Sequence, residues 1–154
     1  MFKLRANKSL SLHGEIKVPG DKSISHRSII LGSLAVGETL VNGLLESEDV
    51  LHTVQAMEKF GAIIEKIEEQ KWSIHGRGVG GLDEPETPLY LGNSGTGVRL
   101  LMGVAASHPF NTFFCGDKSL SKRPMRRVST PLKMMSADFI SRSEGSLPLV
   151  CIGP

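Results

Sequence analysis

Apolar and polar positions alternate between two periods along this chain, and the changes of period predict its elements. Residues 9–18 alternate, with Leu10, Leu12, Ile16 and Val18 apolar, which predicts two short strands broken at His13-Gly14. Val18-Pro19-Gly20-Asp21 reads as a stop and turn. Ile24, Ile30, Leu31 and Leu34 then share one helical face, so a helix is expected from Lys22 to Ala35, ended by Val36-Gly37-Glu38. Thr39 to Leu45 reads as a strand. Ser47-Glu48-Asp49 places a cap and two acids at the start of a helix that carries Val50, Val54, Met57 and Phe60 and closes at Gly61. Ile63 to Ile67 and Trp72 to His75 read as a hairpin.

The same order then recurs. Gly92-Asn93-Ser94-Gly95 opens a helix running to about Ser107, and Phe110 to Cys115 is a strand. Pro124 suits the first turn of another helix, with Met125, Val128, Leu132 and Met135 on one face. Pro131 either kinks that helix or restarts it after Thr130. Phe139 to Ser141 and Leu147 to Ile152 form a second hairpin. Helix, strand, helix, strand, strand thus occurs twice, over about 22–76 and 93–153, joined by the Gly-, Pro- and acid-rich segment 76–88. Such units place helices on one side of mixed sheets, an α+β (mixed α/β) fold. The chain stops at Gly153-Pro154 just after a strand, which suggests a piece of something larger.

Composition narrows the function. The chain has 154 residues, 40% hydrophobic and 22% charged, enough for a buried core and too apolar for a disordered segment. No run of 18 apolar residues predicts a membrane span, and the first residues carry no secretory pattern. A net charge of +2 is too balanced for a general nucleic-acid binder. Cys115 and Cys151 lack metal-ligand spacing; nothing demands the one disulfide they could form, and they read as free thiols of a reducing cytoplasm.

Three features could carry chemistry. Asp21-Lys22-Ser23-Ile24-Ser25-His26-Arg27 puts cations where a helix N-terminus normally takes acids, so it is either an anion site or a solvated first turn. Leu91-Gly92-Asn93-Ser94-Gly95-Thr96-Gly97-Val98-Arg99 leads into a nearly all-apolar helix whose one charge is Arg99. A buried Arg needs an anionic partner, either a ligand group or an acid such as Asp49 or Asp117. The run fits neither the Walker loop nor the dinucleotide fingerprint, and it also reads as a plain tight turn. Lys118 to Arg127 gathers five cations around one helix start, as an anion site or an exposed basic loop without aromatics for base stacking. Asp49 is the most interesting acid, with helix capping as its other explanation. The five histidines show no metal spacing.

Taken in order, Asp21–Arg27, Leu91–Thr96 and Lys122-Arg123-Pro124-Met125, together with Ser47-Glu48-Asp49, resemble the N-terminal portion of the 5-enolpyruvylshikimate-3-phosphate (EPSP) synthase family from end to end. The resemblance implies repeated βαβαββ units of an inside-out α/β barrel, here about two units of three. Residues 1–20 would be a strand segment of the partner domain, and 21–154 a partial first substrate-binding domain, with units at about 21–80 and 88–154. It implies transfer of the enolpyruvyl group of phosphoenolpyruvate to shikimate 3-phosphate with release of phosphate, in the shikimate pathway. Lys22 would contact phosphoenolpyruvate and the neighbouring substrate. Ser23 and Arg27 would hold shikimate 3-phosphate. Gly95 and Arg123 would contact phosphoenolpyruvate, Asn93 and Thr96 would shape that pocket, and Arg99 would support it from behind. A side chain at Gly95 would obstruct inhibitors that mimic phosphoenolpyruvate.

The family chain is much longer. Its acid–base carboxylates and lysine, and a serine-rich substrate motif, have no counterpart here, so the 154 residues alone are expected to be inactive and no catalytic residue is assigned to them. No metal or organic cofactor is implied, nor a nucleic-acid or membrane partner. The full-length enzyme would be monomeric, and this portion is expected to self-associate through uncovered apolar faces. Two other readings are a self-sufficient, non-catalytic anion-binding module and a relative acting on a UDP-amino sugar, whose first motif differs from Lys22-Ser23 through Arg27.

Overall fold

In the computed structural model, which describes residues 3–8 and 10–154, regular structure begins at Lys22 among the described residues. The Asp21 carboxylate accepts the Ile24 N–H at 2.7 Å and so caps the first helix, α1 (Lys22–Leu34). It leads into β1 (Val36–Asn42), α2 (Glu48–Lys59), β2 (Ile63–Glu68) and β3 (Lys71–Arg77). Glu48 and Asp49 occupy the positive end of α2, as its dipole favours. Gly61, at φ +91°, lets the chain leave α2 in the left-handed region. These three strands form an antiparallel sheet in the order β1-β3-β2.

The second unit is β4 (Leu89–Tyr90), α3 (Gly95–Ala105), β5 (Asn111–Cys115), α4 (Arg126–Met134), β6 (Asp138–Ser141) and β7 (Leu149–Ile152). Its sheet has the order β4-β5-β7-β6, with β4 parallel to β5 and the other pairs antiparallel. Its β5-β7-β6 part repeats the arrangement β1-β3-β2, which bears out the duplication. One continuous core runs through both units, from Ile29, Met57, Phe60 and Ile74 to Leu91, Leu101, Met102 and Phe114. Helix α3 lies at its centre and packs against α1, α2 and α4.

Several expectations need correction. Residues 10–18 form no strand; Ser9, the start of that expected segment, lies outside the described residues. Leu10, Leu12, Ile16 and Val18 stand exposed, and their segment belongs to neither sheet of the described residues. In α1, Ile24 and Leu31 are exposed, and the buried face is Ser25, His26, Ile29, Ile30, Gly32 and Ser33. Close packing explains this: a Cβ on Gly32 would already lie 3.0 Å from Ile74 Cδ1, so β3 demands small residues that aliphatic periodicity overlooks. The first strand spans Val36–Asn42 and not 39–45, because Ala35 N–H closes α1 on the Leu31 carbonyl one residue earlier. Helix α4 starts at Arg126, with Pro124 outside it, Pro131 within it and Met135 exposed. Strand β4 was not foreseen; two residues leave no periodic signature.

Candidate anion-binding site

Three helix N-termini meet at one pocket of about 250 Å³, lined by Lys22, Asp49, Asn93, Gly95, Thr96, Arg99 and Arg123. Lys22 opens α1 and Asp49 lies in the first turn of α2, and Lys22 Nζ donates to Asp49 Oδ2 at 2.7 Å. Ser94 caps α3, its Oγ accepting the Gly97 N–H at 3.1 Å, which sets Gly95 and Thr96 on the pocket wall. Arg123 reaches the same wall from the short 3-10 turn Leu120–Lys122 and donates from Nη2 to Asn93 Oδ1. That turn is itself fixed by Asp117, whose carboxylate accepts the Leu120 N–H at 2.6 Å.

Of the two kinds of partner left open for Arg99, no acid reaches it among the described residues: Asp49 pairs with Lys22, and Asp117 accepts from the Leu120 N–H. Arg99 Nη1 instead donates to the Gly95 carbonyl at 2.9 Å, and Nη2 to the Pro124 carbonyl at 3.5 Å. Its Nε is buried with no partner among the described residues. Burial first, and then the nearby charges of Arg127 and Arg123, press its pKa below the usual guanidinium value. Carbonyls satisfy part of the fork but cancel none of its charge.

The pocket therefore carries three cations and one carboxylate, and that carboxylate is already engaged by Lys22. With the positive ends of three helix dipoles added, the site favours a small anion bearing more than one charge. The backbone must come close to such a ligand at Gly95. A Cβ there would lie 2.7 Å from Arg123 Nη1 and 2.9 Å from Arg99 Nη1, so only glycine leaves both guanidinium groups in place.

Residues 6–153 match the sequence profile of the family described as EPSP synthase (3-phosphoshikimate 1-carboxyvinyltransferase). The chain belongs to the EPSP synthase family. A relative named 3-phosphoshikimate 1-carboxyvinyltransferase from Paramagnetospirillum magneticum is 55% identical over 150 residues, which are 97% of this chain and 34% of the relative. One from Novosphingobium aromaticivorans is 59% identical over 142 residues, 92% of this chain and 32% of the relative. The fold closely matches the solved EPSP synthase of Acinetobacter baumannii, with a TM-score of 0.87 and 46% identity over 91% of this chain and 32% of that one. The chain thus spans about a third of the length of the curated relatives it matches.

Of the residues that the family resemblance singled out, Lys22, Asn93, Gly95, Thr96, Arg99 and Arg123 come together in one pocket. Ser23 is half-buried and Arg27 exposed, and neither lines it. Asp49, weighed as a cap, is a pocket residue, while Ser47 holds the cap position of α2 with no side-chain hydrogen bond. The buried pair His26 and Thr53, one helical turn beyond Lys22 and Asp49, was not anticipated. Its signal was present: each stands four residues after a pocket residue, Lys22 or Asp49, and so lies on the same helical face.

Proposed function

We propose that this chain supplies the phosphoenolpyruvate-binding part of an enolpyruvyl transferase that acts on shikimate 3-phosphate in aromatic amino acid biosynthesis. The observation that carries the reading is the convergence of Lys22, Arg99 and Arg123 on a glycine-lined wall at three helix starts. Phosphoenolpyruvate bears a phosphate and a carboxylate on a three-carbon frame, and two guanidinium groups with one ammonium suit that charge distribution. Fixed cations and dipoles would also stabilise negative charge in the tetrahedral adduct. Ser23 and Arg27, which follow Lys22 in α1 outside the pocket lining, would hold shikimate 3-phosphate.

Proton transfer needs further groups. Asp49 is the pocket's one carboxylate and is committed to Lys22, so the acid and base would come from outside these residues. Residues 1–20 would add a strand to a second domain, a role that suits the exposed Leu10, Leu12, Ile16 and Val18. Residues 21–154 would be two of three units of the first domain. Until covered by the rest, the exposed Ile24, Leu31 and Leu40 favour self-association, which sedimentation at rising concentration would reveal. No helix of the described residues is long and apolar enough to cross a membrane, and two free thiols suit a reducing cytoplasm.

Calorimetric titration of phosphoenolpyruvate into the 154-residue chain tests the reading. Saturable binding that is lost in Arg123→Ala is expected, with no phosphate released when both substrates are present. Failure to bind, or turnover by the chain alone, would each overturn it.

A further inference from the structure

The ion pair at the pocket stands on a second rung. His26 follows Lys22 by one helical turn, and Thr53 follows Asp49 by one turn, so the two pairs are successive steps between α1 and α2. His26 is fully buried, and its Nδ1 lies 2.8 Å from Thr53 Oγ1. Thr53 Oγ1 also donates to the Asp49 carbonyl at 3.4 Å, which leaves it to accept from His26 Nδ1–H. The matching tautomer carries its proton on Nδ1, and Nε2 is then a buried lone pair with no partner among the described residues. A Cβ on Gly97 would lie 3.0 Å from the same Thr53 Oγ1, so the first turn of α3 rests against this hydroxyl too. Ser25 ties the arrangement to the loop before α2, donating to the Asp21 carbonyl at 2.8 Å and accepting the Leu45 N–H at 3.0 Å.

We propose that His26 and Thr53 are a positioning pair that holds Lys22 against Asp49 and seats the first turn of α3, so fixing the spacing of the anion pocket. The importance of that pocket rests on the functional reading above; the positioning itself does not. A buried polar rung is directional where apolar contacts are not. Ile30 and Met57, one turn further along, bury area without setting a register.

Reductive methylation of lysines in the 154-residue chain, followed by peptide mass spectrometry, reads the position of Lys22 directly. Exposed Lys118 serves as the internal reference. Asp49→Asn releases Lys22 and sets the upper limit. Thr53→Val keeps the shape and removes the hydroxyl; it should raise Lys22 labelling about fivefold toward that limit, the worth of one buried hydrogen bond. Thr53→Ser should stay near the starting rate. His26→Gln, which lacks a donor at the Nδ1 position, should behave as Thr53→Val does, and His26→Asn, which keeps one, should not. This second pair decides the matter if Thr53→Val does not fold. A loss of packing alone would lower thermal stability and raise labelling at every lysine, with no rescue by hydroxyl or amide.

Lys22 labelling unchanged in Thr53→Val and His26→Gln while Asp49→Asn raises it would overturn the proposal. So would an Asp49→Asn variant in which Lys22 is no more reactive. A phosphoenolpyruvate titration of the same variants should show affinity falling in parallel with labelling. If the unaltered chain binds no phosphoenolpyruvate, the functional reading fails and the labelling still judges the positioning pair.

Discussion

Gly95 and Arg123 are spaced so closely that a single methyl group on Gly95 would lie 2.7 Å from Arg123 Nη1. The obstacle is the tip of a flexible side chain, not backbone, so Gly95→Ala should fold normally. It should displace the guanidinium groups of Arg123 and Arg99 and weaken phosphoenolpyruvate by roughly tenfold or more, the loss of one charge-assisted contact. Calorimetry would show this, with circular dichroism unchanged; full affinity in Gly95→Ala would mean that the ligand does not use this wall.

Arg123 and Arg27 should separate by ligand. Arg123 lines the pocket and Arg27 does not. Arg123→Ala should cost phosphoenolpyruvate about 1.5–3 kcal/mol, whereas Arg27→Ala should leave it unaffected and weaken shikimate 3-phosphate. Titrating each ligand against both variants checks the division, and equal small effects would contradict it.

Burial holds the His26 pKa below its ordinary 6.5, with Asp49 opposing the shift and Lys22 adding to it. As pH falls through 6.5, the unfolded chain takes up a proton that the folded chain refuses. Stability contributed by neutral His26 is therefore present above that pH and lost below it. Urea midpoints should fall between about pH 7.5 and pH 5.5, and the fall should be shallower in His26→Asn. The same slope in both proteins would assign the acid sensitivity to other groups.

Burial pushes the Cys151 thiol up to about 12, and raises Cys115 as well, with Lys59 acting against the latter shift. Cys151 should resist thiol reagents at about pH 8 in the folded chain and react on unfolding, because the thiolate is the reactive form. Between 9.0 and about 12 the unfolded chain loses a Cys151 proton that the folded chain keeps, so stability should decline as pH rises through that window. Rapid modification of Cys151 under native conditions would contradict its burial.

Local chemistry was legible in the sequence by itself. The turn before Lys22, the Gly-rich entry before α3, the acids at the start of α2 and the two hairpins each follow from neighbours in the chain, so the duplicated order of elements could be read directly. The helix starts that deliver Lys22 and Gly95 were visible for the same reason, whereas Arg123 comes from a short 3-10 turn ahead of α4. Tertiary structure alone decided which face of α1 is buried, because close packing on β3 selects Gly32 and Ser33 over Ile24 and Leu31. It also decided that Arg99 bonds carbonyls and not one of the acids the sequence left open as partners, and that Asp49 answers Lys22 from 27 residues away. Periodicity reports which residues share a face of their own helix; which face is buried depends on how closely the neighbouring sheet packs against it, as Gly32 against Ile74 shows.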